Sequence, residues 1–370
     1  MPAGFSLSMT TPQGNVYYTT NGSDPRAAGG APSASAIQGG STTLNETSIV
    51  TARAYNGQEW GAPKTATFVV GAELAGPSNL VISEIMYQPA EPTAAEITAG
   101  YPDNKVFEYL EILNISGSPV DLNGVSFTIG LDFAFDDSTI KTIPAGGRLL
   151  LVRNQAAFVQ RYGAGLNEII AGEFQNNTGL SGAGERLVLS GSGGVIRDIT
   201  YDDKYPWPEA PDGSGPSIVL VAPETNPDGN IGGNWRSSVG ASGSAGMGDG
   251  LAFAGDPTAD LDGDGLNAFA EYAFGTSDAA FNGSGEVLVP SISALGRFTV
   301  TFPRNLAADD AIVIIELSDD LDNWTPAGET LDLVSEVHGA DGRSTFTFES
   351  SDPATNAPRS FVRLRVLPRE

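Results

Sequence analysis

Along most of the chain, apolar and polar residues alternate in short runs bounded by Gly, Pro, Asn and Asp, as in half-buried β-strands joined by turns. The first group is Phe5-Ser-Leu-Ser, Val16-Tyr-Tyr-Thr-Thr, Ser48–Tyr55 and Thr65–Val70. A second comprises Leu80–Tyr87, Tyr109–Asn114, Val125–Ile129, Gly147–Val152 and Arg186–Ser190, with a hairpin turn at Gly191–Gly194 leading into Val195–Tyr201. A third follows at Arg297–Phe302, Ile312–Ser318, Ser344–Phe348 and Ser360–Val366. Helical spacing is confined to two places. One is Gln155–Tyr162, closed by Gly163; the other carries Leu266, Phe269, Ala270 and Ala273 on one face, with Gly275 where a left-handed cap belongs. The pattern predicts an all-β chain of tandem immunoglobulin-like sandwiches. The expected units are 1–70, 77–244 and 287–370, with Gly/Ser-rich junctions near 71–79 and 240–256 and a short loop and helix over 256–280 between the second and third.

That loop carries the sharpest chemistry. Asp260-Leu-Asp262-Gly-Asp264-Gly265-Leu266-Asn-Ala-Phe-Ala-Glu271 has Asp at positions 1, 3 and 5, Gly at 6 and Glu at 12. This is the calcium-loop pattern of EF-hands. A hard cation taking six to eight oxygens requires short carboxylates on alternate residues of a tight turn. Asp260, Asp262 and Asp264 supply them, Leu266 offers its carbonyl, and Glu271 can bind through both oxygens from a helix start. Ala268 at position 9 supplies no oxygen, which leaves that place to water. The plainer reading is an acidic turn without an ion. Upstream, the Gly/Ser/Ala-rich segment from Gly240 to Gly255 cannot form an entering helix, so the loop reads as a structural fastener and not a sensor.

Composition narrows the function classes. The 370 residues include 46 Gly and 24 Pro, and 45 acidic against 19 basic residues give a net charge of −26. Such a balance excludes an electrostatic nucleic-acid surface and disfavours anionic membranes. No Cys is present, which removes disulfides, thiolate zinc sites and thiol catalysis. No apolar run approaches the roughly 18 residues needed to cross a bilayer, so membrane insertion is not expected. Met1–Ser6 lacks the basic and apolar regions of a signal peptide. Calcium sites of this kind are usually filled outside cells. The expected setting is therefore extracellular or cell-surface, with the export signal upstream in a longer product and a genuine C-terminus near Glu370.

Catalytic chemistry is sparse. His338 is the only histidine and falls in a turn-like stretch, Val337-His-Gly-Ala-Asp-Gly342, without a nucleophile signature. The pairs Asp136–Asp137, Asp202–Asp203 and Asp309–Asp310 read as solvated turn residues. No Gly-rich segment carries a phosphate-loop Gly-Lys-Ser/Thr. The chain is not expected to be an enzyme. Trp207 and Trp235 are expected to pack within a core. The alternative is that Tyr205, Trp207 and Trp60 stack on sugar rings, and polysaccharide or another surface protein is the candidate partner.

Several stretches resemble known families. Val16-Tyr-Tyr-Thr-Thr-Asn-Gly-Ser-Asp-Pro-Arg26 resembles the C-terminal β-sandwich of chitobiases and β-hexosaminidases, an accessory module that usually has a further strand before Phe5. Ile82-Ser-Glu-Ile-Met-Tyr, Glu108-Tyr-Leu-Glu-Ile-Leu-Asn, Val120-Asp-Leu-Asn-Gly, Ile143-Pro-Ala-Gly, Pro206-Trp-Pro, Asp212-Gly-Ser-Gly-Pro-Ser and Asn234-Trp-Arg-Ser resemble, in order, the lamin-tail domain family. That resemblance implies an immunoglobulin-like binding or structural module, found in bacteria on secreted and surface proteins. It offers no catalytic set. Asp260–Ser277 resembles the calcium repeats of dockerins and thrombospondin type 3 modules. Ser318-Asp-Asp-Leu-Asp-Asn-Trp324 resembles a terminal sandwich following such repeats in planctomycete and verrucomicrobial surface proteins. Together these imply a non-catalytic, calcium-stabilised tail. A carbohydrate-binding accessory region, or the C-terminal part of an enzyme such as a spore-coat-protein-H-like kinase, remains the alternative.

Overall fold

The computed structural model describes residues 1, 3–213, 215–282, 284–354 and 361–369. Ser214 of the Asp212–Ser217 motif, Ser360 of the last expected strand and Glu370 lie outside the described residues. Strands dominate, arranged as tandem immunoglobulin-like sandwiches. In the first module, Phe5–Ser8 pairs with Ser41–Leu44. A second sheet runs Ile37–Gln38, Asn15–Thr19, Ser48–Tyr55, Lys64–Phe68. Tyr18, Leu44 and Val50 form its buried centre, with Phe5, Leu7 and Phe68 packed around them.

The middle module is larger. Its main sheet has six strands in the order Ile170–Glu173, Arg148–Val152, Tyr109–Asn114, Leu80–Met86, Ile218–Leu220, Trp235–Ser237. A four-stranded sheet, Phe133–Ala134, Ser126–Ile129, Glu185–Gly191, Gly194–Tyr201, closes over one face. The core between them includes Ile82, Ile112, Leu149, Leu151, Trp207 and Trp235. The opposite face of the main sheet is covered too, because Met86, Tyr109, Leu150 and Val152 pack beneath Phe158 of the helix Gln155–Tyr162. Leu80–Met86 and Tyr109–Asn114 are consequently buried at every position. A strand covered on both faces has no polar side to show. The small strand Glu73–Leu74, in the expected junction, pairs parallel with Val120–Asp121 of this module.

A third helix, Ala94–Thr98, was not expected. Thr93 caps it and Glu96 reaches back to the Thr93 backbone, a capping box. Glu96 also holds Arg161 of the longer helix at 2.7 Å, and this pairing depresses its carboxyl to about 2.

The Gly/Ser/Ala segment after Ser237 has almost no side chains to bury, yet it lies against the main sheet. Buried carboxylates hold it there by its backbone. Glu84 accepts from the Ser244 amide at 2.7 Å and the Ser244 hydroxyl at 2.8 Å; Glu111 accepts from the Gly246 amide at 2.7 Å. Glu84 is also bonded by Tyr109 and Ser217, and Glu111 by Ser83 and Arg148. These two glutamates are register neighbours on adjacent strands. Burial raises both carboxyls, Glu84 further through its negative neighbour Glu111; Arg148 opposes the rise at Glu111.

In the last module, a sheet of Val289–Ile292, Arg297–Asn305, Arg343–Pro353 and Leu331–His338 faces one of Thr325–Pro326, Ala311–Ser318 and Phe361–Pro368. Their shared core centres on Val300, Phe302 and Leu331. The helix Ala268–Phe274 docks on this module through Ala273 against Ala308 and Ala311, and Gly275 ends it at φ +74°.

Gly243 tests the strapped segment. It sits at φ +81°, and a Cβ there would fall onto the Tyr109 hydroxyl and 2.7 Å from Glu84 Oε1. Gly243→Ala is expected to lose about 2–4 kcal/mol in urea unfolding, combining overpacking with left-handed strain. Gly100→Ala, at φ +99° with open space around it, should lose only about 1–2 kcal/mol. Equal losses would show that the segment is not held as described.

Candidate metal centre and aromatic surfaces

The acidic loop turns through Gly263 at φ +75° and Gly265 at φ +92°. Asp260, Asp262 and Asp264 each place a carboxylate oxygen within 4.8 Å of the others. Asp260 accepts from the amides of Gly263 at 2.9 Å and Gly265 at 3.2 Å; Asp264 accepts from those of Leu266 at 2.8 Å and Asn282 at 2.8 Å. These bonds curl the loop and set its oxygens. Leu266 precedes Asn267, whose side chain caps the helix through the Ala270 amide at 2.8 Å.

Glu271, in the first turn of that helix, stands outside the mutual 4.8 Å group but is only 1 % exposed. Its Oε1 accepts from the Asn282 amide group at 3.1 Å, and its Oε2 has no partner among the described residues. Asp262 Oδ2 is likewise buried without a partner. Burial first, then the carboxylates of Asp262, Asp264 and Asp278, push the Glu271 carboxyl up to about 7. Two buried, unbonded carboxylate oxygens beside two more carboxylates are an unfavourable arrangement that a divalent cation relieves. An all-oxygen donor set suits a hard cation. Asp278 and Asn282 escaped the sequence reading because they fall beyond the twelve-residue frame. Asp278 also accepts from the Leu261 amide at 2.9 Å.

Asp309 and Asp310 correct the expectation of solvated turn carboxylates. Asp309 binds Arg236 of the middle module at 2.5 Å, and Arg236 also binds Asp249 at 2.6 Å. Asp310 accepts from the Tyr272 hydroxyl at 2.6 Å and the Phe253 amide at 2.7 Å. Tyr272 also bonds the Leu251 carbonyl. The helix behind the acidic loop is thereby tied to the segment that leaves the middle module. His338 bonds the Ser238 carbonyl through Nε2 at 2.8 Å, another tie between these modules.

The aromatic candidates separate. Trp207 is 6 % exposed and packs in the main core with Trp235, ring centroids 5.7 Å apart. That is the core packing expected of it, and so little exposure gives Trp207 no platform on which a sugar ring could stack. Tyr205 is 49 % exposed. Trp60 is half-buried on the first module, stacked on Tyr55 at 4.5 Å with Tyr17 edge-on at 5.4 Å, and its indole N–H donates to the Gly30 carbonyl at 2.6 Å.

Fold and site together define an acidic, all-β modular protein whose carboxylates tie one module to the next. Residues 74–203 match the family model of the Lamin Tail Domain, an immunoglobulin-like fold. The matched stretch ends before Ile218–Leu220 and Trp235–Ser237, although both strands complete the same six-stranded sheet. No curated protein matches the chain.

The Glu271 environment gives a signed expectation. Its carboxyl holds a proton more tightly folded than unfolded, so in chelator the associated stability is present below pH about 4.5 and is lost as pH rises through about 7. In EDTA, the melting temperature of wild type should fall over this window, and Glu271→Gln should flatten the fall and melt higher at pH 7.5. Excess calcium should reverse that ranking, since the ion requires the ionised carboxylate. Identical pH profiles for both proteins in EDTA would disprove the electrostatic account.

Proposed function

We propose that the chain is a non-catalytic binding and spacing tail of an exported bacterial protein, with its last module fastened by calcium. The observation that carries this reading is the pair of buried, unpartnered oxygens on Asp262 and Glu271 beside Asp260 and Asp264. Calcium bound by Asp260, Asp262, Asp264, the Leu266 carbonyl and Glu271 would satisfy them and fix the start of the helix Ala268–Phe274. Because that helix packs on the last sandwich and bonds Leu251, the ion stabilises the junction as well as the loop. The resemblance of the loop to dockerin and thrombospondin type 3 repeats supports a structural role, and a calcium requirement accords with a place outside the cell, where the ion is plentiful.

A tail function accords with the matched family, whose domains are typically non-catalytic. The buried glutamates of the middle module support it as well. Glu84 and Glu111 are committed to hydrogen bonds that hold backbone, and neither stands as an unpartnered base. Tandem sandwiches give reach and broad polar faces, and the charge of −26 keeps copies of the chain apart. Polysaccharide binding is the second reading. It rests on the half-buried Trp60–Tyr55–Tyr17 group, because an aromatic platform suits the apolar face of a sugar ring. The resemblance of the first module to the accessory domain of chitobiases accords with it.

Isothermal titration should detect one calcium site in wild type and at least a tenfold weaker one in Asp262→Ala; equal heats from the two proteins reject the assignment. The purified chain is expected to turn over no ester, glycoside or phosphoester. Turnover abolished by a single substitution would end the tail reading. Retention on insoluble polysaccharide that is lost in Trp60→Ala would establish the second reading instead.

A further inference from the structure

Between the middle and last modules lies a cleft of about 310 Å³, at the small end of ligand sites. Tyr205 and Trp207 line it from one side, and the inner face of the last sandwich lines it from the other. On that inner face the strands stack in rows, Phe302 opposite Phe346 and Arg304 opposite Ser344. Phe302 and Phe348 lie parallel with centroids 5.9 Å apart, and Tyr205 meets Phe348 edge-on at 6.2 Å. The walls are therefore mostly apolar, with several aromatic rings among them.

Three charged side chains border this space, and two are fully engaged. Arg236 is bound by Asp249, Asp309 and the Ser237 carbonyl. Glu336 accepts from the Glu209 and Ala210 amides and from the Ser237 and Ser344 hydroxyls. The third, Arg304, is half-buried and makes no hydrogen bond or ion pair among the described residues. Burial and the nearby cations of Arg236 and Arg369 disfavour its charge, against weaker support from Asp309 and Glu336. Arginine does not give up its proton in proteins, so the cost of holding it there persists until an anion arrives.

We propose that this cleft binds a small organic carboxylate with an aromatic or branched apolar body. The carboxylate pairs with Arg304, whose planar fork matches two carboxylate oxygens, and the body packs in the cleft against its apolar lining, beside Tyr205 and Phe348. The walls argue against a sugar, whose many hydroxyls would be buried against a largely apolar lining. The proposal does not rest on the calcium reading.

Phenylacetate and its neutral counterpart 2-phenylethanol serve as probes, titrated into the full chain in calcium-containing buffer and followed by ligand-observed NMR. Wild type should bind phenylacetate at least tenfold more tightly than 2-phenylethanol. Arg304→Gln should reduce phenylacetate to the level of the alcohol, whereas Arg304→Lys should retain part of the preference. Melting curves confirm that each variant folds. If Arg304→Gln fails to fold, the comparison of the two probes on wild type and Arg304→Lys decides. Equal binding of acid and alcohol, no binding of either to folded wild type, or full retention in Arg304→Gln overturns the proposal.

Discussion

The arrangement of the C-terminal half depends on carboxylates that hold backbone. From Val239 to Gly250 the chain is mostly Gly, Ser and Ala with little to bury, and a segment of that composition gains almost nothing from the hydrophobic effect. It is fixed because Glu84, Glu111 and Asp249 accept hydrogen bonds from its amides at Ser244, Gly246 and Val239. Each of these acceptors is ionisable and largely buried, so the bonds form where the dielectric is low and their loss is costly. Leu251 then bonds Ala307 at 2.7 Å, and the next module begins in contact with the last.

Arg236 continues the same logic. Its side chain is buried between Asp249 of the strap and Asp309 of the last sandwich. A buried ion pair contributes little net stability against an apolar replacement, but removal of one partner leaves a charge stranded. Its value here is geometric, since three segments must arrive together for the arginine to be satisfied. Glu336 acts likewise from the other side, gathering two amides and two hydroxyls from both modules. A chain with 45 acidic residues has acceptors in excess, and this protein uses several of them as connectors between modules.

The same excess creates its least comfortable place. Around Glu271, carboxylates crowd with few donors between them. Among the described residues, buried Glu84, Glu108, Glu111 and Glu316 each have an arginine, or tyrosine and serine donors, beside them, and Glu271 has neither. The exceptional cluster is also the one whose spacing matches a cation loop, so electrostatics and local sequence pattern point the same way.

How much of this was legible beforehand depends on the range of the interaction. The strands with period-two alternation, the helix Gln155–Tyr162 with its Gly163 end, and the Gly275 cap were written locally, because side-chain direction and left-handed turns depend on neighbouring residues. The acidic loop was legible for the same reason: its oxygens come from one short stretch. The helix Ala94–Thr98 had a readable sign, Thr93 three residues before Glu96, yet its five residues give too short a period to stand out. Trp207 had two readings in sequence, and contact with Trp235, distant along the chain, decided for the core. Asp309 looked like a turn residue until Arg236, 73 positions earlier, met it. The Gly/Ser/Ala segment read as a loose junction, since nothing in its own residues reveals the buried glutamates that hold it. Sequence alone determined what neighbouring residues impose on one another; the tertiary structure decided which distant charges and rings meet, because only the packed chain excludes the water that would otherwise satisfy them.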